Sequence, residues 1–178
     1  MISDLLDSTR IEAGRLDLHL DTCDLRDIVA HTLEVQQAAA PDRAFIMSLP
    51  DEPIAVRCDG LRIEQVLNNL LSNAVKYSPD SSQVEVDLAR DQSAAVLTVA
   101  DRGVGIQPGD CERIFEPFSR GRNVGSIAGV GLGLSVTRRI IDAHGGDIAV
   151  CSTPGAGSVF TVRVPIAPGA VPAIEAAS

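Results

Sequence analysis

Apolar residues recur at helical spacing in four stretches of this chain, and six shorter segments have the composition of strands. The helical stretches cover residues 1 to about 18, 24 to 40, 59 or 60 to about 77, and 132 to 144. The strand segments cover residues 44–49, 54–58, 83–89, 94–100, 147–152 and 159–164. A chain that combines helices and short strands in this way is predicted to adopt an α/β fold.

Capping and turn-forming residues mark the ends of several of these elements. Asp24 is available as the N-cap of the second helix. Ser78-Pro79-Asp80 breaks the third helix, and Gly145-Gly146 terminates the fourth. Residues 101–128 show little periodicity apart from a short helical turn near residues 111–115. A loop of this length is usually functional or mobile, so it is a candidate part of a binding site.

The chain divides into three regions. Residues 1–20 contain an amphipathic helix with little of its own to pack against, which is typical of the end of a longer helical structure. Residues 21–166 supply enough apolar sequence for one ordinary α/β core. Residues 167–178 are rich in Pro, Ala and Gly and are predicted to be disordered.

Composition narrows the possible partners and the compartment. The formal net charge of −9 argues against a nucleic-acid partner, because nucleic-acid surfaces are usually basic. No apolar run approaches the roughly 20 residues that span a bilayer, and the first residues lack the layout of a secretory signal. The four cysteines are scattered singly, as expected of reduced thiols. A cytoplasmic location is therefore expected, with any membrane anchor of a full-length protein in segments outside this sequence.

A polar stripe follows one side of the third helix. Asn69, Asn73 and Lys76 stand at positions i, i+4 and i+7, so they share one face. The apolar side of the same helix consists of Ile63, Val66, Leu67, Leu70, Leu71 and Ala74. A solvated helix face is the alternative interpretation, but asparagine is a poor helix former and needs another reason to be there. Amide oxygens suit Mg²⁺, and Lys76, the only lysine of the chain, can neutralise a phosphate.

Two glycine clusters follow this helix along the chain. Asp101-Arg102-Gly103-Val104-Gly105 comes at the end of a strand, where a carboxylate can bind a purine amino group and the glycines allow close backbone approach. Gly129-Val130-Gly131-Leu132-Gly133-Leu134 runs directly into a helix, whose N-terminal N–H groups form an anion site. Neither cluster has the Walker or the Rossmann spacing, and each is a weak signal when taken alone.

Taken together and in this order, the motifs resemble those of the nucleotide-binding domain of sensor histidine kinases. That domain belongs to the superfamily that also contains DNA gyrase, the heat-shock ATPase chaperone and mismatch-repair ATPases. The matching segments are 69–78 (N box), 101–105 (first glycine box), 115–118 (F box), 129–134 (second glycine box) and 155–160 (last glycine box). Ser158 stands where the family usually has threonine, and Leu5 to Gly14 look like the end of the family's dimerisation hairpin.

The resemblance implies a two-layer α/β sandwich, the Bergerat fold. Its mixed, mostly antiparallel sheet has about five strands, with three helices on one face. Residues 1–20 would be the C-terminal end of the hairpin helix, and residues 21–166 the ATP-binding catalytic domain.

The resemblance also implies roles for individual residues. Asp101 reads the adenine, Asn69 and Asn73 hold Mg²⁺, and Lys76 meets phosphate. Tyr77 lines the pocket, and Arg120 lies near the γ-phosphate, beside a mobile lid formed by residues 119–128. Phe115 and Phe118 either anchor this lid to the core or contact the phosphoacceptor domain. The other expected nucleotide-binding residues are Gly103, Gly105, Ile106, Phe118, Gly129, Val130, Gly131, Leu132, Gly133, Leu134 and Ser158.

The expected activity is binding of Mg-ATP and donation of the γ-phosphoryl group to a histidine. The family places that histidine on the hairpin in a His-Glu/Asp-x-x-x-Pro context, and none of His19, His31 and His144 has this context. No autophosphorylation of the chain alone is therefore expected. The implied partners are a histidine-bearing dimerisation hairpin domain, a response regulator receiver domain, and a second copy in a full-length homodimer.

Two other functions remain open from the sequence. An anti-sigma-type serine kinase shares the Asn, Asp and glycine boxes, but it would lack the hairpin remnant and the full F box. A regulatory module that binds ATP without transferring phosphate is the second alternative. Gyrase-like relatives have a water-activating glutamate at the position of Asn69, so this chain is expected to hydrolyse ATP poorly.

Overall fold

The structure is a computed structural model that describes residues 16–78, 83–119 and 131–166. Within these ranges the strands are β1 (Asp21–Asp24), β2 (Ala44–Ser48), β3 (Ala55–Cys58), β4 (Gln83–Arg90), β5 (Ala94–Asp101), β6 (Asp147–Thr153) and β7 (Gly157–Pro165). The helices are α1 (Leu25–Ala39), α2 (Gly60–Tyr77) and α3 (Gly133–Ala143). Two short 3-10 turns, Pro108–Asp110 and Arg113–Phe115, follow β5.

Five strands form the main sheet in the order β2-β4-β5-β7-β6. The pair β2–β4 is parallel, and the other three pairs are antiparallel. Strands β1 and β3 form a separate antiparallel pair. The main sheet is therefore mixed but mostly antiparallel, as the family resemblance implied.

The core lies between one face of the main sheet and the helices. Val86 on β4 stands opposite Val99 on β5, and Val99 stands opposite Phe160 on β7. All three side chains are buried. The buried side chains of α2 are Ile63, Val66, Leu67, Leu70, Leu71 and Ala74, which are the apolar side predicted from the sequence. Alternate residues of β4, such as Glu85 and Asp87, face the other way and are half-buried or exposed.

Polar contacts at the helix ends fix how the helices meet. The Asp24 carboxylate accepts a hydrogen bond from the Arg26 N–H of α1, which confirms the predicted N-cap. Asp59 caps α2 in the same way. The Asp59 N–H donates to Nε2 of His144 at 3.0 Å, and Nδ1 of His144 lies 2.7 Å from the Ile140 carbonyl oxygen. His144 thus joins the end of α3 to the start of α2, a structural role.

The predicted two-layer sandwich is confirmed, with one strand added. The segment 54–58 was predicted as a strand without an assigned partner, and it forms β3, which pairs with β1 outside the main sheet. Strand β1 was missed because the sequence Asp21-Thr22-Cys23-Asp24 is mostly polar and lacks apolar alternation.

The N-terminal region differs in part from its prediction. The first helix was expected to reach about residue 18, but residues 16–20 have no regular secondary structure. The rest of that prediction, like the predicted disorder of residues 167–178, falls outside the described residues. Among the residues described, no helix has the length and apolar character needed to cross a bilayer.

Candidate nucleotide-binding site

The polar stripe of α2 and the first turn of α3 lie side by side. Nδ2 of Asn69 is 3.4 Å from the Gly133 carbonyl oxygen and 3.4 Å from Oγ1 of Thr137. These long contacts direct the amide nitrogen of Asn69 toward α3 and leave its oxygen without a hydrogen bond among the described residues. The N box and the second glycine box, 64 residues apart along the chain, therefore meet in the folded domain.

The asparagines of α2 differ in their surroundings. Asn68 accepts a hydrogen bond from Nε2 of Gln36 on α1 at 2.8 Å, so its amide holds two helices together. The Asn73 side chain is half-buried, and its amide makes no hydrogen bond within the ranges that the structure describes. A partly buried amide without a protein partner is a candidate ligand for a bound ion or nucleotide. This contrast separates one structural asparagine from the two in the polar stripe.

Lys76 and Tyr77 lie at the C-terminal end of α2. The Lys76 ammonium group is 4.9 Å from the centroid of the Tyr77 ring, in the geometry of a cation–π contact. Both side chains are half-buried. The Lys76 side chain is therefore held over the aromatic ring instead of extending freely into solvent.

The Asp101 carboxylate lies beyond this helix end and is buried. Its Oδ1 accepts hydrogen bonds from the Ser78 hydroxyl at 3.1 Å and from the Gly103 N–H at 2.8 Å. The backbone N–H of Ser158 is a third donor to the carboxylate. Burial raises the pKa of Asp101 above its ordinary value, although these three hydrogen bonds act in the opposite direction. Asp101 is thus an oriented acceptor in a site largely shielded from water.

The first glycine box packs too closely for side chains. A Cβ on Gly103 would lie 2.2 Å from the Tyr77 carbonyl oxygen, and the neighbouring Val104 N–H donates to that same oxygen at 3.1 Å. Gly105 has a φ of +66°, and a Cβ there would lie 2.1 Å from the Thr153 carbonyl oxygen. Close backbone approach is therefore what these two glycines supply.

The last glycine box closes the same end of the pocket. Ser158 is buried and stands directly opposite Asp101 in the β5–β7 pair. The Ser152 hydroxyl lies 3.0 Å from the Ser158 hydroxyl, and it accepts a hydrogen bond from the Ile106 N–H at 2.8 Å. The Ser152 hydroxyl therefore joins the end of β6 to the segment that contains Ile106 and to the last glycine box.

The second glycine box leads into α3 as predicted. No side chain in the described part of the chain caps this helix, and Leu132 is its N-cap residue. The first N–H groups of α3 are therefore available to an anion, and the helix dipole favours negative charge there. Gly131, Leu132, Gly133 and Leu134 lie at this end. Gly129, Val130 and Arg120 were predicted as site residues, but they lie outside the described residues.

The two phenylalanines of the F box have different environments. Phe115 is buried, with its ring edge-on to the Phe160 ring at 6.5 Å and the Arg138 guanidinium 4.9 Å from its centroid. Phe118 is 64% exposed and has a φ of +61°, which is rare for a bulky residue. Its N–H donates to the Gly131 carbonyl oxygen at 3.0 Å. Phe115 thus packs as an anchor, whereas Phe118 presents its ring to solvent beside the second glycine box.

The residues present fit a magnesium ion. Asn69 and Asn73 offer amide oxygens, which are hard ligands, and Mg²⁺ commonly completes its shell with waters and substrate phosphates. No cluster of three or more His, Cys, Asp or Glu suited to a metal occurs among the described residues. Asn69 and Asn73 are therefore candidate ligands for such an ion.

Sequence reasoning missed the supporting serines. Ser78 was identified as a helix breaker and as the last residue of the N box, without a role in the site, yet its hydroxyl orients Asp101. Ser152 was treated as an ordinary strand residue, yet its hydroxyl joins three segments. Ser78 follows the last residue of α2, and Ser152 is a polar residue at an inward-facing strand position. Neither position reveals a hydrogen-bond partner.

We expect Gly105→Ala to destabilise the domain by about 2–4 kcal/mol, because it adds both a left-handed backbone penalty and a clash with the Thr153 carbonyl. Urea unfolding followed by circular dichroism measures this change. Gly109→Ala is the matched control, because no atom lies within 4 Å of its Cβ position. Equal stabilities of the two variants would contradict the close packing of the first glycine box.

The resemblance assigns adenine to Asp101, and with that assignment the raised pKa of Asp101 predicts a pH dependence of adenine binding. Only the ionised carboxylate accepts a hydrogen bond with both oxygens, so affinity is full above this pKa and falls about tenfold per pH unit below it. The midpoint is expected above the ordinary aspartate value. Titrations between about pH 4 and 7 measure this profile, and Asp101→Asn should give weak binding with a flat profile. A wild-type affinity independent of pH over that range would contradict the role of Asp101.

Comparison with known proteins identifies similar sequences and folds. The sequence profile of the family described as "Histidine kinase-, DNA gyrase B-, and HSP90-like ATPase" matches residues 58–168. The chain is 34% identical over 165 residues to the sensor protein KdpD of Escherichia coli strain K12, covering 93% of this chain and 18% of KdpD. It is 37% identical over 169 residues to the alginate biosynthesis sensor protein KinB of Pseudomonas aeruginosa, covering 93% of this chain and 28% of KinB.

The fold also matches solved structures. Full-length ShkA in complex with AMPPNP superposes with a TM-score of 0.79 at 28% identity, covering 96% of this chain and 36% of ShkA. The chain spans less than a third of the length of KdpD and of KinB.

Proposed function

Because the chain belongs to the histidine kinase-, DNA gyrase B- and HSP90-like ATPase family, we propose that it is the catalytic domain of a two-component sensor kinase. In this proposal it binds Mg-ATP and donates the γ-phosphoryl group to a histidine on a separate hairpin domain. That histidine then passes the group to an aspartate of a response regulator receiver domain. A full-length homodimer brings two such domains to the hairpin.

The arrangement of groups along α2 is the observation that carries this proposal. An oriented carboxylate, Asp101, lies at the C-terminal end of the helix beside Ser78, and the open N-terminus of α3 lies beside Asn69. The eight residues 70–77 of α2 lie between Asn69 and Ser78, which places the two residues roughly 13 Å apart along the helix axis. A carboxylate for an amino group and an anion site at this separation suit the base and the phosphates of one extended nucleoside triphosphate.

The proposed chemistry depends on position and charge. The γ-phosphorus forms a bond to an imidazole nitrogen of the acceptor as its bond to the β,γ-bridging oxygen breaks, and ADP leaves. The N–H groups at the start of α3 and the Lys76 ammonium bind phosphate oxygens, and Arg120 acts near the γ-phosphate. Asn69 and Asn73 would hold Mg²⁺, which would supply neutralisation of phosphate charge when bound.

The identity of residue 69 supports a kinase over an ATPase. An amide cannot take a proton from water as a carboxylate can, and Asn69 occupies the position of the water-activating glutamate in gyrase-like relatives. Its amide nitrogen is directed to the start of α3, which orients its oxygen as a ligand. Transfer to an added acceptor is therefore expected to be faster than release of inorganic phosphate.

Transfer in trans tests this function. The chain is incubated with radiolabelled [γ-³²P]ATP and a hairpin domain that carries a histidine in the His-Glu/Asp-x-x-x-Pro context. We expect label on the hairpin domain that is acid-labile and alkali-stable, as phosphohistidine is. Acid-stable, alkali-labile label would instead indicate a serine kinase. ATP binding without label on a panel of such hairpin domains would support a regulatory module that does not transfer phosphate.

A further inference from the structure

A serine that the proposed function does not use lies at the adenine end of the pocket. Oγ of Ser152 is 2.8 Å from the Ile106 nitrogen, 2.7 Å from the Gly157 carbonyl oxygen and 3.0 Å from Oγ of Ser158. Ser152 comes from the end of β6, and these three partners come from the first and last glycine boxes. Its side chain is half-buried.

The three contacts fix the direction of every proton at Ser152. A hydroxyl donates one hydrogen bond and accepts two. The Gly157 carbonyl can only accept, so the Ser152 proton points to it. The Ile106 N–H can only donate, so it fills one acceptor position of Ser152. The remaining contact at 3.0 Å therefore requires the Ser158 hydroxyl to donate its proton to Ser152.

The hydrogen-bond donors around Asp101 already have an acceptor, the Asp101 carboxylate. The Ser78 hydroxyl, the Gly103 N–H and the Ser158 N–H all donate to its carboxylate. Because Ser158 stands opposite Asp101, its hydroxyl oxygen and the carboxylate lie at the same end of the pocket. With the Ser158 proton directed to Ser152, these two side chains offer a ligand acceptors and no donor.

We propose that Ser152 is a specificity-determining positioning residue that makes this end of the pocket select 6-aminopurine over 6-oxopurine nucleotides. Adenine carries an amino donor at position 6, whereas guanine and hypoxanthine carry a carbonyl acceptor there. An oxopurine places that carbonyl against buried acceptors and leaves it without a partner, which costs binding. This inference rests on the proposed function, because it concerns the base of the nucleotide that the domain uses.

Binding of non-hydrolysable analogues of ATP and ITP by the purified chain tests the inference. ITP differs from ATP in the hydrogen-bonding pattern at positions 6 and 1 of the base and lacks the additional amino group of guanine. We expect the wild type to bind the ATP analogue at least 100-fold more tightly. In Ser152→Ala the Ser158 proton is released to donate to a 6-oxo group, so the preference should fall about tenfold. Ser152→Thr, which keeps the hydroxyl, should retain it.

A double variant separates proton direction from structural support. In Ser152→Ala/Ser158→Ala the released proton is gone, so the preference for ATP over ITP should return although both affinities are lower. Ser93→Ala removes a hydroxyl from an exposed turn and is the matched control. An unchanged ratio in Ser152→Ala, with both analogues weakened equally, would show that Ser152 only supports the fold.

The remaining outcomes are also decisive. Equal wild-type affinity for the two analogues overturns this inference while leaving nucleotide binding in place. Wild-type binding of neither analogue overturns the proposed function, and the inference with it. If Ser152→Ala does not fold, the inference is tested by two other measurements. These are the ratio of the affinities of the wild type for the ATP and ITP analogues, and the same ratio in Ser158→Ala. Ser158→Ala adds no donor and should keep the preference, so loss of the preference in that variant would overturn the inference.

Discussion

Asp101→Asn is expected to weaken binding of ATP by on the order of 100-fold while leaving the domain folded. The substitution replaces one acceptor oxygen of a buried, oriented carboxylate with a donor N–H₂ group. In the proposed complex this group would face the amino group of adenine. The variant loses a hydrogen bond to a charged group and places two donors against each other in a site shielded from water. Together these effects account for a roughly 100-fold loss of affinity. Isothermal titration calorimetry with a non-hydrolysable ATP analogue measures it.

The stability of the same variant provides the control. Burial raises the pKa of Asp101, so the folded state favours its protonated form relative to the unfolded state. Stability from this group is therefore present below the unfolded-state pKa and is lost as pH rises through the folded-state pKa. At neutral pH the wild type must bury an ionised carboxylate, which is unfavourable, whereas Asp101→Asn buries a neutral amide. The thermal midpoint of the variant should therefore be at least as high as that of the wild type. Wild-type affinity in this variant would reject Asp101 as the adenine-reading residue.

Asn73→Ala is expected to lower Mg-ATP affinity by about 10- to 100-fold and to remove its dependence on Mg²⁺. The Asn73 amide is half-buried and has no hydrogen-bond partner among the described residues, so its loss leaves no protein group unsatisfied. The unfolding free energy should therefore change little. Titrations with and without Mg²⁺ measure the effect.

Asn68→Ala is the matched control for this substitution. Asn68 lies on the same helix, but its amide accepts the hydrogen bond from Gln36 on α1. Removing it should cost about 1 kcal/mol of stability, since one net hydrogen bond is lost, and should leave the Mg²⁺ dependence of binding unchanged. If Asn68→Ala and Asn73→Ala affect the Mg²⁺ dependence equally, the assignment of the metal ligands is wrong.

The sequence predicted most of the fold because its elements have strong local signals. Helix α2 has a continuous apolar side of six residues, a capping aspartate and a proline-containing end, and it was predicted to within a residue. Strand β1 has no such signal: its four residues are mostly polar, and pairing with β3 alone makes them a strand. Tertiary contact, which periodicity does not record, decided that element.

The candidate site was predictable as a set of motifs but not as a set of contacts. The order of the boxes identified Asn69, Asn73 and Asp101, because spacing and chemistry are visible in the residues. The distinction between Asn68 and Asn73 depends on Gln36, which lies 32 residues before Asn68 in the chain. The roles of Ser78 and Ser152 likewise depend on partners more than 20 residues away. Such pairings exist only once the strands and helices have been placed.

Calorimetric titration of the wild-type chain with a non-hydrolysable ATP analogue, with and without Mg²⁺, tests the central claim most directly. The pocket formed by α2, the start of α3 and the three described glycine segments predicts saturable binding in the micromolar range, strengthened by Mg²⁺. It also predicts loss of that binding in Asp101→Asn. The absence of binding by a folded wild-type chain would contradict the account and leave the domain with the family's fold but without its nucleotide site.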